Sequence, residues 1–216
     1  MMPDPRAEER RRMVERQIEA RGVRDLRVLA AMREVPRHLF IPPPHDRDAY
    51  EDCPLPIGNG QTISQPYIVA LMTELLHPEP GDRVLEIGAG SGYQAAILSM
   101  LVRQVTTIER LAPVADLARR NLAVLHNDNV TVVVGDGTMG CPQNSPYDGI
   151  IITAATPEIP ALLIVQLAEG GRLVAPVGGR DVQELVVLEK RQGTIVTEHH
   201  GGVQFVPLIG EHGWEY

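Results

Sequence analysis

One stretch, residues 84–93 with the sequence VLEIGAGSGY, constrains the fold of this 216-residue chain more than any other. An apolar run ends in three glycines at alternating positions, Gly88, Gly90 and Gly92, and a helical pattern follows. The order of strand, glycine turn and helix is typical of nucleotide-binding α/β sheets, in which glycines let the backbone approach a ligand closely. The sequence therefore predicts a ligand site at the end of this strand.

Helical and strand patterns alternate along the chain after residue 64. They predict helices at 64–76, 93–101, 112–125 and 157–167, and strands at 83–87, 104–108, 130–134, 149–153 and 172–176. Because the strands are continuous runs of Val, Ile and Leu, they indicate a parallel sheet that is covered on both faces. Further extended segments at 183–190, 193–198 and 203–208 predict an antiparallel edge. The expected fold class is doubly wound α/β.

The first 62 residues have a different character. Residues 5–40 show helical periodicity that Gly22 interrupts, which predicts two helices. Residues 42–62 are rich in Pro, Gly and Asp without periodicity, which predicts a long functional loop. We expect one domain with three parts: N-terminal helices and loop at 1–62, an α/β core at 63–178, and edge strands at 179–216.

Composition excludes several classes of function. Twenty-eight acidic residues against twenty Lys and Arg give a net charge of −8, which argues against binding to nucleic acid or anionic lipid. No run approaches the ~18 apolar residues of a membrane helix, and the N-terminus lacks the apolar core of a targeting signal. A cytoplasmic protein is therefore predicted. Cys53 and Cys141 fit no metal-ligand spacing, and the histidines are expected to have structural or surface roles, so no metal site is predicted.

Three acidic residues near predicted strand ends indicate the kind of ligand. Glu109 lies 21 residues after Gly88, where a carboxylate accepts hydrogen bonds from both ribose hydroxyls. Asp136, which precedes Gly137 after the third strand, suits an adenine amino group. Glu86 interrupts the apolar strand, and two interpretations stay open: backbone amides satisfy it, or it meets a positively charged ligand. No phosphate-binding P-loop motif is found, so the set favours an adenosine ligand without a pyrophosphate.

Two motifs carry a resemblance to known proteins. Residues 86–92 resemble the first motif of S-adenosylmethionine-dependent methyltransferases, and residues 60–66, GQTISQP, are similar to the signature of the protein-L-isoaspartate O-methyltransferase family. Blocks at 35–40, 147–151, 169–173 and 204–208 are also similar to that family's blocks, in its order. One block departs from the pattern, since Gln204 stands where many relatives have a basic residue.

The resemblance implies a fold, a cofactor and a reaction. The fold is a Rossmann-like, doubly wound, mostly parallel sheet of about seven strands with helices on both faces, an N-terminal helical extension and rearranged, antiparallel last strands. The implied cofactor is S-adenosyl-L-methionine, the methyl donor, and the implied acceptors are L-isoaspartyl residues in damaged proteins and peptides. The reaction initiates repair, because a methyl ester of the free α-carboxylate collapses to a succinimide whose hydrolysis returns some normal aspartyl linkage.

The resemblance also assigns site residues. Gly88, Gly90 and Ser91 are predicted to contact the methionine part of the cofactor, Glu109 the ribose, and Asp136 and Gly137 the adenine. Thr62, Ile63 and Ser64 are predicted to contact both donor and acceptor. Glu86 is counted with the cofactor-binding residues.

The chemistry predicts a site without a general base. A carboxylate with a pKa near ~3.5 is already ionised at neutral pH, so catalysis rests on aligning the reactants and excluding water. Ser64 is the predicted catalytic residue: as the N-cap of the helix that contains Pro66, it would hold the acceptor carboxylate with its hydroxyl and the free amides. The alternative is that Ser64 only caps the helix.

Other functions on the same fold stay open. A small-molecule O-methyltransferase would share the donor site but not the isoaspartyl acceptor. A non-catalytic S-adenosylmethionine-binding protein would have lost the acceptor site, which the intact 62–64 segment argues against. A dehydrogenase is the weakest rival, because Tyr93 occupies the position of the third glycine of a dinucleotide fingerprint. A monomer is the expected oligomeric state.

Overall fold

The computed structural model describes residues 6–215. Its strands are β1 (Leu55–Gly58), β2 (Gln61–Ile63), β3 (Arg83–Ile87), β4 (Gln104–Glu109), β5 (Val130–Val134), β6 (Tyr147–Ile152), β7 (Leu167–Gly178), β8 (Gln183–Arg191) and β9 (Thr194–Val203). Its α-helices are α1 (Ala7–Met13), α2 (Leu26–Glu34), α3 (Pro66–Leu76), α4 (Tyr93–Ser99), α5 (Ala112–Val124) and α6 (Ala161–Gln166).

Seven strands form one sheet in the order β5-β4-β3-β6-β7-β8-β9. The first five are parallel, and β8 and β9 are antiparallel to their predecessors. The strand order reverses between β3 and β6, and in open α/β sheets the crevice at such a point is where ligands bind. The predicted doubly wound sheet of about seven strands with an antiparallel C-terminal edge is confirmed.

Buried side chains lie on both faces of the sheet. Successive residues of a strand point to opposite faces, so Val84 packs with α3, α4 and the N-terminal helices, while Leu85 and Ile87 pack with Leu163 of α6. The sheet is thus covered on both sides, as the continuous apolar strands predict.

The N-terminal region contains the two predicted helical stretches. The chain continues from α1 through a π-helical turn at Val14–Ile18 and a 3-10 turn at Glu19–Arg21. Gly22, with a φ of +107°, ends this stretch, and Asp25 caps α2 by accepting hydrogen bonds from two backbone amides of its first turn.

The prediction of a long functional loop over 42–62 is wrong at its end, where two short strands form. β1 and β2 form an antiparallel hairpin whose turn contains Asn59 and Gly60, with φ of 53° and 71°. The strands have only four and three residues, too few for a clear alternation. The Asn-Gly pair was the signal that could have revealed the hairpin, because it favours the left-handed backbone of a tight turn.

Several element boundaries also differ from the prediction. The helix expected from residue 64 begins at Pro66, because the residue before a proline is restricted to extended backbone. The helix expected at 157–167 covers only Ala161–Gln166, and Pro160 is its N-cap residue. β7 is correspondingly longer than expected, and residues 204–208 form only an isolated bridge from Pro207 to Ala155. Within residues 6–215, none of the helices has the length and apolar character that crossing a bilayer requires.

Candidate active site

The glycine turn after β3 is held against the end of β6. Gly88 has a φ of +99°, and a Cβ added there would lie 2.5 Å from the Oγ1 of Thr153. That hydroxyl donates to the carbonyl oxygens of Ile87 and Gly88 at 2.9 and 2.6 Å. Gly92, with a φ of +88°, occupies the N-cap of α4. The turn therefore requires glycine at position 88, and Thr153 is a site residue that sequence reasoning missed.

Glu109 ties the same turn to the end of β4. Its Oε2 accepts a hydrogen bond from the Gly90 amide at 3.1 Å, and its Oε1 accepts one from the Leu111 amide at 3.0 Å. The residue is 8% exposed. An ionised carboxylate has about four acceptor positions, so each oxygen keeps one that can face a ligand.

Glu86 is buried without a hydrogen-bond partner. The residue is 0% exposed, and neither carboxylate oxygen makes a hydrogen bond to any residue in the described part of the chain. Burial raises the pKa of Glu86 to about 8; the neighbouring Thr107 on β4 lowers it, and the negative charge of Glu109 adds to the rise. The interpretation in which loop amides satisfy Glu86 is therefore wrong, and an unpaired carboxyl group lines the cavity beside the glycine turn.

Asp136 holds the C-terminal segment. Its Oδ1 accepts hydrogen bonds from the amide and hydroxyl of Thr138 at 2.9 and 2.7 Å, and its Oδ2 accepts one from the Glu211 amide at 2.8 Å. Burial alone would raise the pKa of Asp136, but these hydrogen bonds outweigh that effect and keep the pKa below its ordinary range. The adjacent Gly137 has no room for a side chain, since a Cβ would lie 2.4 Å from Ile87.

Two adjoining cavities at the carboxyl edge of the sheet share Gly88 and Glu109. We call them together the edge cleft. Nine of the ten predicted site residues line it: Thr62, Ile63, Ser64, Glu86, Gly88, Gly90, Ser91, Glu109 and Gly137. Asp136 is the exception, because its carboxylate faces the C-terminal segment instead. The strand order thus brings together residues that are up to 75 positions apart in the sequence, from Thr62 to Gly137.

A second and wider cavity, of about 810 Å³, opens beside the edge cleft. We call it the groove. One wall comes from the N-terminal region, with Arg21, and from α3, with Tyr67. The other comes from the end of β9, with His200, and from the segment after it, with Gln204. Among the described residues that line it, none is acidic, although the whole chain carries a net charge of −8.

Ser64 lies where the two cavities meet, since it lines both. Its predicted role as the helix cap is wrong: the N-cap of α3 is Gln65, because the helix begins at the proline that follows. Asp52 acts as the cap instead, with its Oδ1 accepting a hydrogen bond from the Tyr67 amide at 3.1 Å. The Ser64 hydroxyl makes no hydrogen bond to any residue within 6–215, so it is free to bind a ligand.

The C-terminal segment covers one end of the edge cleft. Leu208, Ile209 and Glu215 contribute to its lining. Arg180 holds this segment by donating to the Glu215 carbonyl oxygen at 2.9 Å, and its guanidinium lies 5.0 Å from the centre of the Trp214 ring. The adenosine end of the predicted site is therefore partly built by residues close to the end of the chain.

Comparisons with known proteins were made for the whole chain. A family model described as Protein-L-isoaspartate(D-aspartate) O-methyltransferase matches residues 8–213. A protein-L-isoaspartate O-methyltransferase of Methanoregula boonei is 68% identical over 213 residues, which are 99% of this chain and 98% of the relative. A protein of the same name from Methanoculleus marisnigri is 61% identical, over 100% of this chain and 98% of its own.

Solved structures agree with these relatives. A protein-L-isoaspartate O-methyltransferase superposes with a TM-score of 0.84 at 33% identity, covering 94% of this chain and 67% of that one. A second such protein, from Plasmodium falciparum and in complex with S-adenosyl-L-homocysteine, gives a TM-score of 0.80 at 26% identity, covering 93% of this chain and 98% of that one. The fold and the order of its elements are therefore similar over nearly the whole chain.

Proposed function

The chain belongs to the protein-L-isoaspartate(D-aspartate) O-methyltransferase family, and we infer that the edge cleft and the groove together carry out that family's reaction. That reaction is the transfer of a methyl group from S-adenosyl-L-methionine to the free α-carboxylate of L-isoaspartyl residues in proteins and peptides. The observation that supports this assignment to the two cavities is the position of Ser64, which lines both. The resulting ester closes to a succinimide, which starts the repair of the damaged linkage.

The edge cleft fits the cofactor. S-adenosylmethionine supplies an electrophilic methyl group on a positively charged sulfur. Glu86 fits the cationic methionine end, because its buried carboxyl group has no hydrogen-bond partner in the described residues and a positive charge would compensate it. The glycine turn at 88–91 would accommodate the same end, since a side chain at Gly88 would collide with Thr153.

The adenosine end would lie under the C-terminal segment. Glu109 would accept from the ribose hydroxyls with the acceptor positions that Gly90 and Leu111 leave unused. Asp136 and Gly137 are the proposed adenine contacts. Gly137 lines the edge cleft, whereas the Asp136 carboxylate is bonded to Thr138 and Glu211 and would accept from an amino group only at its one remaining acceptor position.

The acceptor enters from the groove, and this chain's residues bind and orient it. The Ser64 hydroxyl donates to the α-carboxylate and fixes which oxygen faces the cleft, while Thr62 and Ile63 close over donor and acceptor. No residue has to remove a proton, because the carboxylate is ionised at neutral pH. Catalysis then comes from alignment and from displacing water that would solvate the nucleophile.

The groove favours a polypeptide acceptor over a small molecule. It is larger than the adjoining part of the edge cleft and meets it at Ser64, so a residue in the middle of a peptide could present its carboxylate there. The remaining parts of the proposal are a cytoplasmic location, a monomeric protein, and no need for nucleic acid or a membrane. Sedimentation of the purified protein with and without an isoaspartyl peptide tests the oligomeric state.

The decisive experiment uses labelled methyl groups. S-adenosylmethionine with a labelled methyl is offered with two peptides that differ only in an isoaspartyl or a normal aspartyl linkage. Base-labile label on the isoaspartyl peptide alone is the expected result, since an ester is cleaved by base. Label on neither peptide, with the cofactor still bound, would assign the site to another acceptor or to binding alone.

A further inference from the structure

The segment that carries Ser64 is held from outside by a residue that no catalytic step uses. Asp52 lies in the loop before β1, fifteen positions before Tyr67, and its carboxylate accepts hydrogen bonds from two groups that directly follow Ser64. They are the side-chain amide of Gln65, 2.7 Å from Oδ2, and the Tyr67 amide, 3.1 Å from Oδ1. The Gln65 amide also donates to the Asp52 carbonyl oxygen at 3.0 Å.

Asp52 is held in turn by the N-terminal region. The Arg21 guanidinium donates to Asp52 Oδ2 at 2.6 Å and lies 3.5 Å from the centre of the Tyr67 ring. The side chain of Asp52 is only 21% exposed, which protects these contacts from water. Asp52 therefore joins three elements, the end of the N-terminal helical stretch, the loop before β1 and the start of α3.

The helix needs this support because its own N-cap residue provides none. Gln65 is at the N-cap of α3 and makes no side-chain hydrogen bond to the helix. Pro66 has no amide hydrogen to donate, so the Tyr67 amide is the first free donor of the helix, and Asp52 accepts from it. The direction in which the chain leaves Ser64 is thereby fixed by a residue distant in sequence.

We propose that Asp52 is a positioning residue for methyl transfer, which holds Gln65 and the first turn of α3 so that the Ser64 hydroxyl faces the junction of the edge cleft and the groove. This rests on the proposed function of Ser64. Direct displacement demands close alignment of the acceptor oxygen with the methyl group, and a small displacement of the group that binds the acceptor costs rate. Asp52 touches neither donor nor acceptor, so its removal lowers kcat and leaves cofactor affinity unchanged.

The chain offers a closely matched control in Asp25. It caps α2 by accepting from the Arg27 and Val28 amides at 2.8 and 3.4 Å, and it pairs with the Arg27 guanidinium at 3.2 Å. Its side chain is 22% exposed. Asp25 and Asp52 are thus two capping aspartates of similar burial, each paired with an arginine, of which one lies beside Ser64 and the other does not.

The experiment compares Asp52→Ala with Asp25→Ala. Both are expected to lower Tm similarly, but Asp52→Ala lowers kcat for an isoaspartyl peptide about tenfold more, with the Kd for S-adenosylmethionine within about twofold of wild type. Asp52→Asn keeps an acceptor for the Tyr67 amide but loses the Oδ2 acceptor of Gln65 and Arg21, so it is expected to restore only part of kcat. Equal kcat for the two alanine variants would overturn the proposal, and so would an unchanged kcat loss when Asp52→Ala is made in a Ser64→Ala background.

A second readout needs no acceptor. Hydrogen exchange at the amides of residues 61–65 and of Tyr67 in the full-length protein is expected to accelerate in Asp52→Ala and not in Asp25→Ala. Unchanged exchange would overturn the proposal. If exchange accelerates as expected while the wild-type protein methylates no isoaspartyl peptide, the proposed function fails and the positioning of the segment by Asp52 stands.

Discussion

The edge cleft and the groove meet at one residue, yet they are built in opposite ways. The edge cleft is made by turns at the ends of adjacent parallel strands, and it contains two acidic side chains, Glu86 and Glu109, that are nearly inaccessible to water. The groove is lined mainly by the start of α3 and by the segment at the end of β9, and no acidic side chain is among the described residues that line it. A fixed ligand of known charge suits the first design, and a polypeptide of variable sequence suits the second.

The largest expected effect of any substitution is at Glu86 in the edge cleft. Glu86→Gln is expected to weaken binding of S-adenosylmethionine about a hundredfold, because it removes one partner of a buried charge pair. Calorimetry measures the Kd, with Glu189→Gln as a control, since that glutamate pairs with Arg172 and Arg191 at the C-terminal edge. Equal affinity of Glu86→Gln and wild type for S-adenosylmethionine would mean that the edge cleft does not bind its ligand through a buried charge.

The same residue predicts a pH dependence of stability. The pKa of Glu86 is raised by burial from an ordinary 4.5 to about 8 in the folded protein, so the folded state holds a proton that the unfolded state releases. The stability of the protein without cofactor is therefore full below about pH 4.5 and falls as pH rises toward about 8, and Glu86→Gln is expected to abolish this fall. Chemical denaturation across this range checks the slope.

The next largest effect is expected at the junction. Ser64→Ala is expected to lower kcat about thirtyfold, the typical value of one hydrogen bond to a charged group, with little change in Tm. Little stability is lost because Asp52, not Ser64, caps α3. Turnover within about twofold of wild type would remove Ser64 from the reaction.

A smaller effect is expected at the ribose position. Glu109→Gln keeps an acceptor for one of the two backbone amides and loses the charge, so the Kd for S-adenosylmethionine is expected to rise about tenfold. The loss should be shared by S-adenosylhomocysteine, which has the same ribose. A loss confined to S-adenosylmethionine would place Glu109 near the sulfur rather than the ribose.

The smallest effect is expected in the groove. Because Arg21 is the only Arg or Lys among the described residues that line the groove, peptides with an acidic residue beside the isoaspartate are expected to be better substrates than neutral ones by two- to threefold, about the value of an exposed ion pair. Arg21→Gln should abolish this ratio, whatever it does to kcat, and Arg12→Gln on the surface of α1 should not. If Arg21→Gln still prefers acidic to neutral peptides, the assignment of the groove to peptide binding is contradicted.

The same contrast explains what sequence could predict. The edge cleft follows from local order, because the strand, the glycine turn and the spacing of Glu109 are all read from one continuous stretch. Thr153 escaped prediction, since its hydroxyl meets the carbonyl of Gly88 only through the pairing of β3 with β6. The sequence also could not predict whether Glu86 has a hydrogen-bond donor, because that depends on which residues of the neighbouring strands lie beside it.

Less of the groove and its junction could be predicted. Asp52 lies in a stretch without periodicity, and nothing in its sequence neighbourhood indicates that it caps a helix fifteen residues later. Ser64 was identified by resemblance alone, and the local argument that made it a cap was wrong because a proline two residues later sets where the helix begins.

The unpaired carboxyl group of Glu86 also bears on how long the protein persists. A ligand that binds only the folded state stabilises it by about 2.7 kcal/mol at a hundred times its Kd, and a cationic donor would also supply a partner for a buried carboxyl group that has none among the described residues. Protein molecules that lack the donor are therefore expected to unfold more often and to be degraded sooner. The abundance of the enzyme in a cell is thereby expected to follow the supply of methyl donor.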